Sequence, residues 1–470
     1  MDEHYDLVVL GAGPAGEKAA ALAAYHGRRV AVVERAARAG GAMVRDAATS
    51  KTMREAALYL TSFRARDVYG VGLGVPAELA VQGVRRRTEQ VEQLLTGVVE
   101  SNLERHGIDL VHGVARLAGA GIVEVTGPSG DSSSVSAGAI IIATGSRPLH
   151  PAGIPFDGTD VLDSETASLL DRPVRSLVVV GGGAVACEYA SVFAALGTQV
   201  TLAESGPRLL RFMDAEIAGQ LAEAYTEMGM RLVLGRGHVA VRRDTDGVRV
   251  ELPDGETLRP EHVIVAAGRV GNTEDLGLSE AGVTVDRQGL VVVDAGFAST
   301  AAGIYAAGDV IGSPALASVS MEQGRVAACH ALGIELGRSV DSHAPFGVYS
   351  VPETAMVGLT EEAARLEGTE VVVGRARLTH NARSVINGAD RGLVKLLFRR
   401  GDRHLVGAHI LGSDATELIH QPQAVMHFGG TVEYFLDATY NTPTVSEAFK
   451  FAAYDALSRL ENRETLTASV

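Results

Sequence analysis

One local pattern occurs twice in this chain, and that repetition constrains the fold more than any other feature. Residues 5–11, Tyr-Asp-Leu-Val-Val-Leu-Gly, form a short apolar β-rich run ending on glycine. An alanine-rich helical stretch follows to about His26, and a second strand runs over 29–34. That is a βαβ unit. The same order returns over 176–204, with its first glycine, Gly181, 170 residues after Gly11. A period this long is no solenoid repeat; it reads as two copies of one dinucleotide-binding domain type.

Each copy carries a glycine fingerprint in the context that gives it meaning. Gly11-Ala12-Gly13-Pro14-Ala15-Gly16 lies directly after a strand and opens a helix. Its glycines permit a tight turn and let a pyrophosphate approach backbone N–H groups at the positive end of a helix dipole. Glu34 ends the next strand, 23 residues after Gly11, where a carboxylate can accept hydrogen bonds from a ribose diol. A lone motif of this kind is explained equally well by close packing. The second, Gly181-Gly182-Gly183-Ala184-Val185-Ala186, has the permitted alanine at its last position, and Glu204 again follows its first glycine by 23 residues. Two copies with the same acidic spacing favour nucleotide binding over packing alone. Glu204 should prefer the free 2′-hydroxyl of NAD(H) and repel the 2′-phosphate of NADP(H). Arg208 can soften that preference, but reads first as a solvated surface charge.

The remaining segments fit around these copies. Gly127-Pro128-Ser129-Gly130-Asp131 reads as a hairpin tip before a strand at 139–143, which leads into Thr144-Gly145. A matching strand and glycine close the second copy at 263–268. Residues 303–309 read as a strand ending on Asp309, with a helix starting near Ala315, and the pattern changes from about residue 345. The fold class expected is α/β, with two Rossmann-like dinucleotide-binding domains and a C-terminal α+β dimerisation domain. The boundaries expected are 1–150 with 273–344 for the first domain, 151–272 for the second and 345–470 for the third.

Composition excludes several function classes. A formal charge of −15 disfavours nucleic acid and anionic membrane surfaces as partners. No run reaches the roughly 18–20 apolar residues of a membrane span, and Met1-Asp2-Glu3-His4 does not resemble a signal peptide. The only cysteines, Cys187 and Cys329, have no paired metal-ligand spacing, so no metal site is expected and a cytoplasmic location is. Of 42 basic residues only Lys18, Lys51, Lys395 and Lys450 are lysine. A lysine kept in so arginine-rich a chain marks a position where a guanidinium does not serve.

These ordered motifs, with Ala143-Thr144-Gly145, Gly268-Arg269 and Ala307-Gly308-Asp309, resemble the pyridine nucleotide–disulfide oxidoreductase family, which includes glutathione reductase, lipoamide dehydrogenase and mercuric reductase. Nearly the whole chain is covered. Within the family, the segments 50–60, 415–420 and 429–435 look most like the soluble, Si-face-specific transhydrogenases. The resemblance implies FAD on the first domain, near Gly11, Gly13, Ala15, Gly16, Glu34, Arg35, Gly41, Met43, Lys51, Ala115, Thr144, Gly145, Gly308, Asp309, Leu316 and Ala317. It implies a nicotinamide nucleotide near Gly181, Gly183, Val185, Ala186, Glu188, Glu204 and Gly268. It also implies that Lys51 pairs with Glu188 beside flavin N5, that a helix opened by Leu316, Ala317 and Ser318 faces the flavin, and that a two-fold symmetric homodimer forms.

Two departures from the family pattern bear on chemistry. Disulfide reductases carry two cysteines five positions apart after a Gly-Gly pair, so that flavin electrons can pass to a disulfide. Here Gly40-Gly41 is followed by Ala42-Met43-Val44-Arg45-Asp46-Ala47-Ala48, with Met43 and Ala48 at the cysteine positions and a loop at 42–50 one residue short. The family's His-Pro-Thr segment is Thr442-Pro443-Thr444 here, followed by Glu447, whose packing role outweighs its catalytic one.

The sequence therefore reads as an FAD-dependent enzyme that takes hydride from NAD(P)H, NAD(H) preferred, and passes it to a non-disulfide acceptor, first of all a second pyridine nucleotide. The alternatives are an oxidoreductase of a small organic molecule and a non-catalytic flavin-binding homologue. Lys51, Glu188 and Glu447 are the candidate catalytic residues.

Overall fold

Eight residues, Glu3–Leu10, form the strand on which the N-terminal half is built. Parallel strands flank it at Val30–Glu34 and Ser132–Ile142, and Asp109–His112 extends the sheet beyond Val30–Glu34. All five residues of Val30–Glu34 are buried, as a parallel strand covered on both faces requires. Ile122–Thr126 and Val114–Gly119 continue the sheet antiparallel, and Ile304–Ala306 pairs parallel with the end of Ser132–Ile142. The 127–131 turn joins Ile122–Thr126 to Ser132–Ile142 as an antiparallel hairpin, closed by a hydrogen bond from Gly127 N–H to the Asp131 carbonyl at 2.8 Å.

The computed structural model describes residues 3–64, 77–119, 121–170, 172–335, 337, 339–389 and 391–461. The chain divides into two compact units. One comprises 1–52, 83–149 and 268–341, and the other 53–82, 150–267 and 342–470.

In the first unit the helix Pro14–Tyr25 buries its alanine face, Ala15, Ala19, Ala20 and Ala23. Small side chains there let the helix Ala317–Leu332 come close: a Cβ placed on Gly324 would strike the Ala15 carbonyl.

The second unit holds a parallel sheet in the order Arg231–Leu234, Gln199–Glu204, Ser176–Val180, His262–Val265 and Val161–Leu162. It also holds a five-stranded antiparallel sheet, in the order Phe346–Val348, Thr354–Gly358, Leu405–Leu411, Leu393–Arg399 and Val371–Arg377. The helix Glu447–Leu460 packs so closely on this sheet that a side chain at Gly374 would strike the Ala452 carbonyl. Phe398, Phe435 and Phe449 are fully buried in that core, each contributing about 1.5–3 kcal/mol by burial.

One expectation is overturned here. The segment 42–50, read from sequence as a loop, is helical: a π-helical turn over Met43–Ala47 runs straight into the helix Ala48–Arg64, with Ala48 N–H bonded to the Met43 carbonyl. Residues 42–50 contain neither glycine nor proline and are rich in alanine, so nothing local breaks a helix there.

Candidate functional site

The first fingerprint is shaped by contacts only glycine tolerates. Gly11 has φ +107°, and a Cβ there would lie 2.5 Å from the Ala143 carbonyl oxygen. A Cβ on Gly16 would collide with the Gly11 carbonyl, which fixes the close approach of strand to helix. Gly13 is the N-cap of Pro14–Tyr25, has no side-chain cap, and is followed by proline at the first helical position. Near Gly13 only the Gly41 Cα lies within 4 Å of an added Cβ, at 3.9 Å. Two glycine backbones thus face each other across a shallow cradle at a helix N-terminus, where amide dipoles favour an anion.

A cavity of about 710 Å³ adjoins the cradle, lined by Gly13, Pro14, Gly40, Met43, Met321 and one face of the helix Ala77–Arg105. That size falls in the range of small-molecule and cofactor sites. Glu17, buried on its wall, is neutralised by Lys18 and accepts a hydrogen bond from Asn102.

Glu34 is buried, and its carboxylate spans the turn: Oε2 accepts the Ala12 N–H and Oε1 the Ala36 N–H, both at 2.8 Å. Each oxygen keeps a further lone pair for a ribose hydroxyl. Arg35 beside it is exposed, and Ala115 is buried on Val114–Gly119. In the same unit, Asp309 accepts a hydrogen bond from Ser146 Oγ at 2.8 Å and another from Ser320 Oγ at 3.3 Å. Gly308 donates its N–H to Gln323 Oε1 at 2.9 Å. Thr144 is held by Asn272 in both directions, its hydroxyl donating to the Asn272 carbonyl and its own carbonyl accepting from Nδ2. The helix that follows begins at Ala317, two residues past the start read from sequence, with Leu316 as N-cap and no side-chain cap. Its first N–H groups therefore have no side-chain cap partner. Lys51 lies on the Ala48–Arg64 helix, half-buried, with Nζ 3.4 Å from Ser50 Oγ.

The second fingerprint repeats the geometry within its own unit. Gly181 has φ +124° and would clash with the Ala266 carbonyl if substituted, and Gly183 caps Ala184–Ala195 with nothing within 4 Å of an added Cβ. Ala186 is fully buried and Val185 half-buried. Glu204 packs on Gly182, whose added Cβ would sit 2.7 Å from Glu204 Cγ, and Glu204 Oε1 accepts the Gly206 N–H at 2.6 Å. Glu188 is buried and accepts the Tyr349 N–H at 3.0 Å. Glu447 opens the last helix, half-buried. Lys51 and Gly268 belong to the first unit, Glu188 and Glu204 to the second.

Arg208 corrects the reading as a free surface charge. Its guanidinium meets Glu362 Oε1 at 3.0 Å and donates to the carbonyls of Arg211 and Met213. Sequence reasoning also passed over Ser146, which bridges Arg269 (Nε to Oγ, 2.7 Å) to Asp309, and the buried pair Arg54–Glu353 at 2.5 Å. The Gly268-Arg269 motif was the available signal for the first; the second pairs residues some 300 positions apart and left none.

Cys187 is fully buried, and burial pushes its thiol well above the ordinary range. Neither Cys187 nor Cys329 is in a disulfide. Among the described residues no group of His, Cys, Asp and Glu is placed to hold a metal ion. Among them, too, no helix is long and apolar enough to cross a membrane.

Residues 5–324 match the pyridine nucleotide-disulphide oxidoreductase family, and residues 344–453 match that family's dimerisation domain. The chain is 41% identical over 458 residues to the soluble pyridine nucleotide transhydrogenase of Mycobacterium bovis, covering 97% of this chain and 98% of that one. It is 35% identical to the protein of the same name from Pectobacterium atrosepticum, with the same coverage. Among solved structures it is similar to LpdA from Mycobacterium tuberculosis, with TM-score 0.88, 28% identity and coverage of 96% and 99%. It is also similar to the HOCl-induced flavoprotein disulfide reductase RclA from Escherichia coli, with TM-score 0.85, 27% identity and coverage of 96% and 99%. The chain belongs to the pyridine nucleotide-disulphide oxidoreductase family. Membership brings FAD and a pyridine nucleotide as the redox pair, and the open cradle between Gly13 and Gly41 fits the dinucleotide pyrophosphate of the first.

Proposed function

We propose that this protein is a transhydrogenase-type flavoenzyme: it takes hydride from one pyridine nucleotide and returns it, through FAD, to a second. FAD supplies a two-electron acceptor that can be reduced and reoxidised by nicotinamides. On this reading Gly13, Gly41 and the Pro14–Tyr25 dipole hold the FAD pyrophosphate, Glu34 takes its adenosine ribose, and Asp309 with Ser146 binds toward the ribityl chain. Gly181, Gly183 and Glu204 do the same for the nicotinamide nucleotide, with Glu188 on that unit, and Lys51 supplies a positive charge to the flavin. The C-terminal segment from residue 345 forms a homodimer.

The observation that carries the proposal is the helical turn Met43–Ala47, which runs through the segment where a disulfide reductase keeps its cysteine pair and holds no sulfur but that of Met43. With Cys187 sealed in the core and neither Cys187 nor Cys329 in a disulfide, the flavin has no disulfide of its own chain to reduce. The full-length similarity to proteins named soluble pyridine nucleotide transhydrogenase points the same way. Glu204 favours NAD(H) as the tighter ligand. NADP(H) enters at lower affinity, because a 2′-phosphate must displace the carboxylate from its bond to Gly206.

The test is a titration of the oxidised flavoprotein under anaerobic conditions with NADH, and separately with NADPH. Bleaching of the flavin band by both, reversed on adding the oxidised form of the other nucleotide, supports the proposal. Bleaching that only a disulfide substrate reverses overturns it.

A further inference from the structure

The loop after Glu204 is fastened from outside the nucleotide fold. Gly182 and Leu210 are joined by a hydrogen bond from Leu210 N–H to the Gly182 carbonyl at 2.7 Å, and Leu210 is held at φ +43°, a conformation that a branched side chain adopts only under constraint. The loop thereby folds back over the fingerprint. A Cβ at Gly206 would lie 2.9 Å from Glu204 Oε1 and 3.1 Å from Arg211 Cδ, so carboxylate, glycine and guanidinium are stacked at the end of the Gln199–Glu204 strand.

Five contacts from the 342–470 segment, within the same unit, secure that loop. Arg208 pairs with Glu362 at 3.0 Å. The Phe212 ring packs on Phe346 with centroids 4.5 Å apart. Thr354 Oγ1 lies 3.0 Å from Met213 Sδ. Asp214, the N-cap of Ala215–Glu227, is held by Lys395 at 2.8 Å and receives the Glu361 N–H at 3.3 Å. Glu361 and Glu362 are consecutive on the helix Glu361–Leu366, so one short element grips both ends of the stretch 208–214.

We infer that Glu362, acting through Arg208, is a positioning residue for the adenosine end of the nicotinamide nucleotide: the 345–470 segment sets the shape of the loop against which the 2′-position is read. This rests on the proposed placement of the nucleotide at Gly181–Glu204. Glu362 touches neither nucleotide nor reacting atoms. Its effect must appear in affinity for nucleotides with an adenosine half and nowhere else.

The pair is about one-third exposed on each side, so its removal should leave folding intact. The holoenzyme is compared with Glu362→Gln, Arg208→Gln and Glu204→Ala. The rate of anaerobic flavin bleaching is followed against concentration of NADH, NADPH and reduced nicotinamide mononucleotide, which lacks the adenosine half. Glu362→Gln and Arg208→Gln are expected to raise the half-saturating concentration of NADH about threefold to tenfold, the range of remote positioning effects. The limiting rate and the response to the mononucleotide should stay unchanged, and Arg208→Gln, which also gives up the guanidinium bonds to the Arg211 and Met213 carbonyls, should lose at least as much as Glu362→Gln. Unchanged half-saturation for NADH and NADPH in Glu362→Gln, while Glu204→Ala weakens NADH, overturns the inference alone. An equal loss with the mononucleotide also overturns it, as a general structural effect. If Glu204→Ala leaves NADH binding unaltered, the nucleotide placement fails and the inference falls with it.

Discussion

Lys395 Nζ lies 2.8 Å from Asp214 Oδ1, and both side chains are only 1% exposed. Glu216 and Glu361 complete a ring of carboxylates at 3.0 and 2.6 Å from the same ammonium, and Arg375 adds a second cation at 2.8 Å from Glu216. The paired charges, against the opposing effect of burial, hold Asp214 and Glu216 below the ordinary carboxylate range and raise Lys395. Lys395→Met removes the central cation and leaves Asp214 buried and uncompensated. The expected loss of stability is about 3–5 kcal/mol, read from urea unfolding with flavin and far-UV signals. A loss below about 1 kcal/mol would contradict a buried, fully paired lysine.

His409 sits on the edge of this network. It is almost fully buried, with Nε2 2.9 Å from the Leu359 carbonyl, and burial lowers its pKa below that of a free imidazole. The native state therefore resists a proton that the unfolded chain accepts near pH 6.5. Between the two pKa values the unfolded state binds more protons, so the stabilising contribution is present above about pH 6.5 and is lost as pH falls through the native value. His409→Gln, which keeps a donor for the Leu359 carbonyl, should flatten the stability profile below pH 6.5. Denaturant midpoints at a series of pH values decide this; a slope identical to the parent's sinks the assignment.

The cradle at Gly13 separates a binding defect from a folding defect. A methyl at Gly16 collides with the Gly11 carbonyl, whereas a methyl at Gly13 meets only the Gly41 Cα, at 3.9 Å. Gly13→Ala should fold and yet carry several-fold less FAD after purification, measured by the absorbance ratio of flavin to protein. Gly16→Ala should lose fold and flavin together. Full flavin content in Gly13→Ala would remove the pyrophosphate from this cradle.

Glu204 offers a parallel test of nucleotide choice. Its carboxylate is anchored by the Gly206 N–H and packed on Gly182. Glu204→Ala removes the repulsion toward a 2′-phosphate and the acceptor for a 2′-hydroxyl, so the preference between NADH and NADPH should shift toward NADPH by about tenfold, the equivalent of one charge-assisted hydrogen bond. The ratio of half-saturating concentrations measures the shift, and no change in that ratio would refute it.

Both βαβ units were legible because everything that defines them is local: apolar runs of four to six residues, a glycine turn and an acidic strand end. The helix at Ala317–Leu332 and the hairpin at 127–131 were legible for the same reason. What escaped was set by long-range partners. Arg208 reads as solvated until Glu362, 154 residues on, is brought against it. The continuous helix through Met43 was hidden because comparison with cysteine-bearing relatives suggested a loop, although the local residues favour a helix. Lys395 was within reach: the scarcity of lysine that drew notice to Lys51 marks Lys395 equally, and it is the fully buried lysine.

The most direct measurement mixes the purified holoenzyme with NADPH and a thio analogue of NAD in the absence of oxygen, with glutathione disulfide and lipoamide as parallel acceptors. A transhydrogenase-type flavoenzyme gives rapid reduction of the analogue at its own absorbance band and no thiol release from either disulfide. Thiol production at a rate comparable to nucleotide transfer, or flavin reduction without any transfer to the analogue, would contradict it.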